Sequence, residues 1–434
     1  MRLIRYVVLL LIGCYTQLTF ASLPIQYWQT SSGVRVYFVE NRDLPILDIS
    51  INFSAGSSMD TPEKSGHANL TRHILSLGAG GLNEDQIATA LADVGALQGG
   101  SFDRDRASLS LRTLSSERER TQALDIYSRI IQRPEFPEAV LMRERARVIA
   151  GIKEAKMKPD YIANRALMEM LYGDHPYGLS SSGEIGVLEV ITRKDLVTFY
   201  QTHYTARNAV IAIMGDVNRI EAAAIAESLT RELPVGTASK LLPPVQLPKA
   251  EIKKIAHPAT QSHILMAYPG LRRDDPDYFP LLVGNYILGG GGFVSRLMQE
   301  IRQKHGLAYS VYSYFAPFKE QGPFQIGLQT KKEQADKALK LTQDVLSNFV
   351  ANGLTETELV AAKQNIVGGF PLRIDSNQKI VGYLAMIGLY DLPLTYLGDY
   401  IKAVEAVTVA QIKDAFQRRI KPEGLVTVVV GAAE

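Results

Sequence analysis

The 434-residue chain is 46% hydrophobic and 21% charged, with 47 basic and 45 acidic residues. That is the balance of a globular protein, and the length suits two cores of about 200 residues each. Arg2 and Arg5 lie in a segment that reads as an export signal; without them 45 basic residues face 45 acidic ones. Neutrality without a Lys/Arg cluster excludes nucleic acid as the expected partner, because phosphate binding needs a basic excess on some face.

The N-terminus has basic residues followed by an apolar run from Tyr6 to Ala21 that ends in small residues. The run is short for a membrane span and reads as a secretory signal over residues 1–21, cleaved after Ala21. Within it, residues 11–14, LIGC, also fit a lipoprotein box, in which a lipidated Cys14 ties the protein to a membrane. Cys14 is the only cysteine, so a mature chain that has lost it forms no disulfide. Both routes place the protein outside the cytoplasm, in a bacterial periplasm.

Residues 22–235 read as a first domain. Strand alternation runs over 25–57, turning at Ser32 and Gly33 and again between Arg42 and Pro45. Helices follow over about 66–77 and 83–94, separated by a glycine-rich turn. An amphipathic strand within 101–114, helices over 116–132 and 138–172, and a buried strand over 208–217 complete the domain. Residues 236–258 are proline-rich without an apolar period, which predicts an extended linker.

Residues 259–434 repeat the plan. A strand over 262–271 and a helix over 274–288 lead to the run Gly289, Gly290, Gly291 and Gly292. A helix over 295–306 is closed by Gly306. A Tyr-rich strand, a second strand and two long helices follow, and a last strand over 425–431 echoes 208–217. The pattern predicts an α/β (α+β) protein of two tandem homologous domains, each a mainly antiparallel sheet covered by helices.

Residues 65–81, SGHANLTRHILSLGAGG, come close to a helical zinc site. Such a site needs donors at i and i+4. His67 and His73 are roughly 120° apart around a helix, so they cannot share one ion. One turn before His73 stands Asn69, whose amide is a poor ligand. Arg72 brings a fixed cation beside His73 and cannot act as a general base.

This stretch resembles the first helix of the pitrilysin / insulysin / mitochondrial processing peptidase family, inverted zincins with the motif H-x-x-E-H. The motif's two His positions fall on Asn69 and His73, and its Glu position on Arg72. The third zinc ligand of the family is a Glu on a helix roughly 75 residues downstream. There this chain has Ala150 and Gly151, with Glu154 one turn beyond Ala150 on the same face. The resemblance, which extends to YGDHPYG at the end of that helix, implies a degenerate site with no metal or cofactor in this chain.

The resemblance covers the second half as well. Arg302 and Tyr309, in IRQKHGLAYS, match the pair with which the family binds substrate backbone and steadies the oxyanion at the cut bond. The four glycines, not followed by Gly-Lys-Ser/Thr, read as a flexible connector. They also resemble a substrate-contacting loop of non-catalytic subunits. The strand within 97–114 resembles an edge to which an extended peptide adds; an ordinary sheet strand is the alternative. Together these imply a non-catalytic subunit of a heterodimeric zinc endopeptidase. Its partner would be a homologous subunit with intact H-x-x-E-H and zinc, and its substrate an extended peptide or unfolded protein. A pseudo-peptidase scaffold or peptide-binding protein is the alternative, and an autonomous zinc metallopeptidase the third reading.

Overall fold

In the computed structural model, which describes residues 23–237 and 241–431, each half of the chain is built on one sheet. The signal segment 1–21, with Cys14, lies outside the described residues. The first half opens with β1 (Gln26–Gln29), β2 (Arg35–Glu40) and β3 (Ile46–Phe53), then α1 (His67–Ile74) and α2 (Glu84–Ala92). It continues with β4 (Leu97–Gly99), β5 (Ala107–Leu114), α3 (Glu117–Gln132), α4 (Glu138–Ala155) and α5 (Pro159–Tyr172). Helix α6 (Arg193–His203), β6 (Ala209–Gly215) and α7 (Arg219–Thr230) close it.

The second half runs β7 (Glu251–Ile255), β8 (Gln261–Pro269), α8 (Tyr278–Asn285), β9 (Ala308–Phe315) and β10 (Pro323–Lys331). Helices α9 (Ala335–Asn352), α10 (Glu356–Gly369), α11 (Asn377–Leu389), α12 (Tyr396–Ala406) and α13 (Val409–Arg419) precede the last strand, β11 (Val426–Val430). The sheets are ordered β1-β2-β6-β3-β5-β4 and β9-β10-β8-β11-β7. Each is antiparallel except for one parallel pairing, β2 with β6 and β11 with β7. This is the tandem, mainly antiparallel α/β architecture expected from the alternation.

Three local features differ from the sequence reading. The helix over 138–172 is two helices, because Pro159 cannot continue α4 and instead occupies the first turn of α5. Strand β7 lies inside the segment read as linker. Its EIKKI is exposed at four of five positions and so shows no apolar stripe, yet its backbone pairs along β11. Around the glycine run the helices wind as π turns, over Tyr286–Gly290 and Met298–Lys304, a form frequent at functional sites.

One face of the first sheet, with Phe38, Ile49, Ile51, Leu109 and Ile213, is buried with the helices of its own half. The opposite face places Tyr37, Val39, Val210 and Met214 in the core of the second half, where α11 covers β6, β3 and β2. Reciprocally, Leu167 and Leu171 of α5 pack on Ala267 and Val428 of the second sheet. The halves exchange a helix, so neither buries both faces of its sheet alone.

Helix α11 comes close because residue 388 is glycine. A Cβ there would stand 2.4 Å from Val210 and 2.5 Å from the Tyr37 ring. Gly388→Val is expected to cost about 1–3 kcal/mol through overpacking, read as a lower urea midpoint at unchanged slope. A wild-type midpoint would refute the close approach.

The exchanged helices stop short of the sheet edges. Beside α11 a cleft of about 420 Å³ opens over β5 and β4, lined by Ser50, Asn52, Ser108 and Arg112. Beside α5 a cleft of about 610 Å³ opens over β10 and β9, lined by Arg104, His263, Tyr312 and Gln325.

Candidate functional site

Helix α1 is positioned from its first turn. Buried Asp60 accepts the backbone N–H groups of Gly66 at 2.8 Å and Ala68 at 2.9 Å, which otherwise lack partners at a helix start. Burial pushes the Asp60 carboxyl up to about 7, against the opposing effect of these bonds. His67, also buried, donates through Nδ1 to the Lys64 carbonyl at 2.8 Å and stands apart from the motif positions.

Arg72 turns toward the sheet edge. Its Nε donates to the Ser108 carbonyl at 2.5 Å and its Nη2 to the Gly99 carbonyl at 3.2 Å. Gly100 leaves the room for it: a Cβ there would lie 2.1 Å from Nη2. Burial lowers the pKa of this guanidinium. Where a water-activating carboxylate would stand, a cation is bonded to backbone.

His73 meets an acid that the sequence reading missed. Its Nε2 lies 2.7 Å from Oε2 of Glu144, whose side chain is fully buried. Glu144 also accepts Arg143 Nε at 2.6 Å and Arg147 Nη1 at 3.1 Å. Burial alone would raise its pKa, but the bonds from Arg143 and His73 outweigh it and hold the carboxyl below its usual value. The expected positions supply nothing comparable. Ala150 and Gly151 are exposed and carry no donor atom, and Glu154 is 73% exposed and paired with Lys158 at 2.7 Å. A signal for Glu144 did exist: it lies 71 residues beyond His73, near the expected distance, on the face of α4 that includes Leu141.

These donors do not fit zinc. Asn69 offers an amide, the Nε2 of His73 is engaged by Glu144, two arginines occupy that carboxylate, and Arg72 adds a further cation. Among the described residues no group of three or more His, Cys, Asp or Glu suits a metal.

In the second half the structure brings the singled-out residues together. Arg302 lies on the π turn Met298–Lys304, and Tyr309 on β9 where the pairing with β10 shifts register between Ala308 and Val311. Such a bulge re-aims side chains, and Tyr309 is 81% exposed. The Arg302 guanidinium lies 4.6 Å from the Tyr309 ring and 4.7 Å from the ring of Phe293, the residue that follows the glycine run. Stacked between two exposed rings, it makes no side-chain hydrogen bond or ion pair with another described residue. Gly290 and Gly292 are exposed and Gly291 partly so, whereas Gly289 is buried against Ser313 and Leu297. The Asn285 amide ties this loop to β9, donating to the Ser313 carbonyl at 3.0 Å and accepting its hydroxyl at 2.7 Å.

Comparison with known proteins identifies the family. Residues 35–184 match the model of the insulinase (peptidase family M16) domain, and residues 191–366 that of the peptidase M16 inactive domain. A solved structure of a peptidase M16 inactive domain from Pseudomonas fluorescens is 40% identical, with a TM-score of 0.92, covering 95% of this chain and 98% of that one. The non-peptidase homolog YmxG of Helicobacter pylori is 24% identical over 98% of both chains. A Bacillus subtilis protein named uncharacterized zinc protease YmxG is 25% identical over 81% of this chain and 85% of its own length. Family models that together cover most of the chain, and a 40% identical solved relative of almost the same extent, place this protein in peptidase family M16.

Proposed function

We propose that the chain is the non-catalytic, substrate-binding subunit of a heterodimeric zinc endopeptidase outside the cytoplasm, held at a membrane only where Cys14 is lipidated. The observation that carries this reading is Arg302, a guanidinium that pairs with no described residue and lies between two exposed aromatic rings beside a glycine-rich loop. The partner's metal site would supply the attacking water. Arg302 and the Tyr309 hydroxyl would donate to the peptide oxygen on which negative charge develops, and donors fixed in advance need no reorganisation as the charge forms. The exposed glycines beside them let a substrate backbone approach closely. Names given to relatives, "non-peptidase homolog" and "inactive domain", support a chain without catalysis of its own.

The test is reconstitution with a homologous chain carrying H-x-x-E-H, sought first in the adjacent reading frame, on an unstructured peptide. Each chain alone is expected to leave the peptide intact and the pair to cleave it. A second reading, a peptide-binding protein without proteolytic role, draws on Arg72, whose bonds to Ser108 and Gly99 replace catalysis with a rigid edge. Peptide binding by this chain with an inactive pair would favour that reading.

A further inference from the structure

A cavity of about 330 Å³ lies between the halves, lined by none of Arg302, Tyr309, Phe293 or the glycine run, and is not used by the function proposed above. Arg106 and Asp103, from the loop between β4 and β5, line one side; Arg273, Arg373, Lys379 and Tyr383 line the other. Its single lining carboxylate, Asp103, is spent: Oδ2 accepts Arg106 Nε at 2.9 Å, and Oδ1 accepts the backbone N–H groups of Asp105 and Arg106, each at 2.9 Å. Lys379 is held by Asp375 at 2.8 Å and the Leu372 carbonyl at 2.8 Å.

The other two cations pair with no described acid. Arg273 lies 5.4 Å from the Tyr390 ring and 6.0 Å from that of Tyr278, and its Nη2 donates to the Pro317 carbonyl at 3.2 Å. Its Nε is buried without a partner, and no described carboxylate pairs with it. Arg373, exposed on the short turn Pro371–Arg373, likewise forms no ion pair with a described residue and reaches only the Tyr383 hydroxyl. Four cations thus converge on a concave site with one occupied carboxylate, where the half-buried Arg273 and the exposed Arg373 have no described carboxylate as counter-charge.

The geometry points to an oxyanion-binding site between the halves, taking a carboxylate or phosphate group clamped by Arg373, Lys379 and the free edge of Arg273. Two sources share that chemistry, a free multivalent anion and the terminal carboxylate of a bound peptide. Because both halves line the site, an occupant stabilises the fold as a whole.

Isothermal titration calorimetry on the purified full chain tests this with three probes: pyrophosphate, an acetylated unstructured peptide with a free C-terminal carboxylate, and its C-terminal amide. Saturable binding of pyrophosphate alone assigns the site to a free anion; binding of the free-acid peptide but not the amide assigns it to peptide ends. In both cases Arg373→Gln and Lys379→Gln, on exposed side chains, weaken binding about tenfold or more. Lys254→Gln, at a surface lysine of β7 paired with Asp336, leaves it unchanged. No saturable binding of any probe, wild-type affinity in both cavity variants, or equal weakening by Lys254→Gln would overturn the assignment.

Discussion

Replacing Arg302 with alanine is expected to lower kcat of the assembled pair by about 10²–10³-fold, the loss found when one preorganised oxyanion donor is removed. The fold has little reason to respond. Among the described residues the guanidinium makes only ring contacts, with Phe293 and Tyr309, which are 61% and 81% exposed. Its removal therefore strands no buried donor, and such surface changes stay within about 0.5 kcal/mol. Arg302→Lys keeps the charge but loses the planar fork that stacks between the rings, and should fall between the two. Tyr309→Phe keeps the ring and removes only the hydroxyl, which separates its donor role from its stacking role. Steady-state kinetics with the partner decides the matter, and wild-type turnover by Arg302→Ala would sink the proposal. Size-exclusion chromatography of the same pair checks that assembly is intact.

The largest effect on stability is expected at Asp105, which is 1% exposed. Its carboxylate accepts the Tyr177 hydroxyl at 2.7 Å, the Tyr390 hydroxyl at 2.9 Å and the Lys319 backbone N–H at 2.8 Å. Tyr177 in turn accepts the Glu320 N–H at 3.1 Å. One side chain thereby joins the β4–β5 loop and the Pro176–Gly178 turn of the first half to the β9–β10 hairpin and the end of α11 in the second. Asp105→Ala leaves the buried Tyr177 phenol, the half-buried Tyr390 phenol and an N–H without this partner and should cost roughly 3–5 kcal/mol. Asp105→Asn keeps an acceptor and the shape, and should cost less.

A pH dependence accompanies this site. Burial raises the Asp105 pKa, although the bonds from Tyr177, Lys319 and Tyr390 oppose it. The folded chain therefore holds this proton more tightly than the unfolded one. The associated stability is complete below the unfolded carboxylate value and is lost as pH rises through the folded one. Asp105→Asn should remove that part of the slope in urea midpoints measured across pH. An unaltered slope would place its origin elsewhere, with buried Asp60 as the next group to examine.

Legibility in the sequence followed range. Strands such as VRVYFVE and AVIAIMG carry their burial in their own alternation or apolar content, and helices α1 and α3 carry theirs in a stripe. Strand β7 was missed because an exposed edge strand has no apolar face, and only its pairing with β11 makes it a strand. The candidate site divides in the same way. Arg302 and Tyr309 are seven residues apart within one turn and the strand that follows, and the pair was visible through the resemblance of IRQKHGLAYS to the family, because the spacing alone carries no signal. Phe293, their third member, was not singled out, because nothing local says that the π turns fold the glycine loop back onto Arg302.

By itself the sequence determined the two-domain plan through its periodicity, and, through its resemblance to a known family, the membership and the loss of the zinc motif at Asn69 and Arg72, since periodicity and motifs are local properties. Only the tertiary structure decided that α5 and α11 are exchanged between the sheets, that Glu144 rather than Glu154 meets His73, and that Asp105 joins the halves. Those contacts lie between residues whose separation along the chain says nothing of their separation in space. They exist because burying both faces of each sheet requires the other half of the molecule.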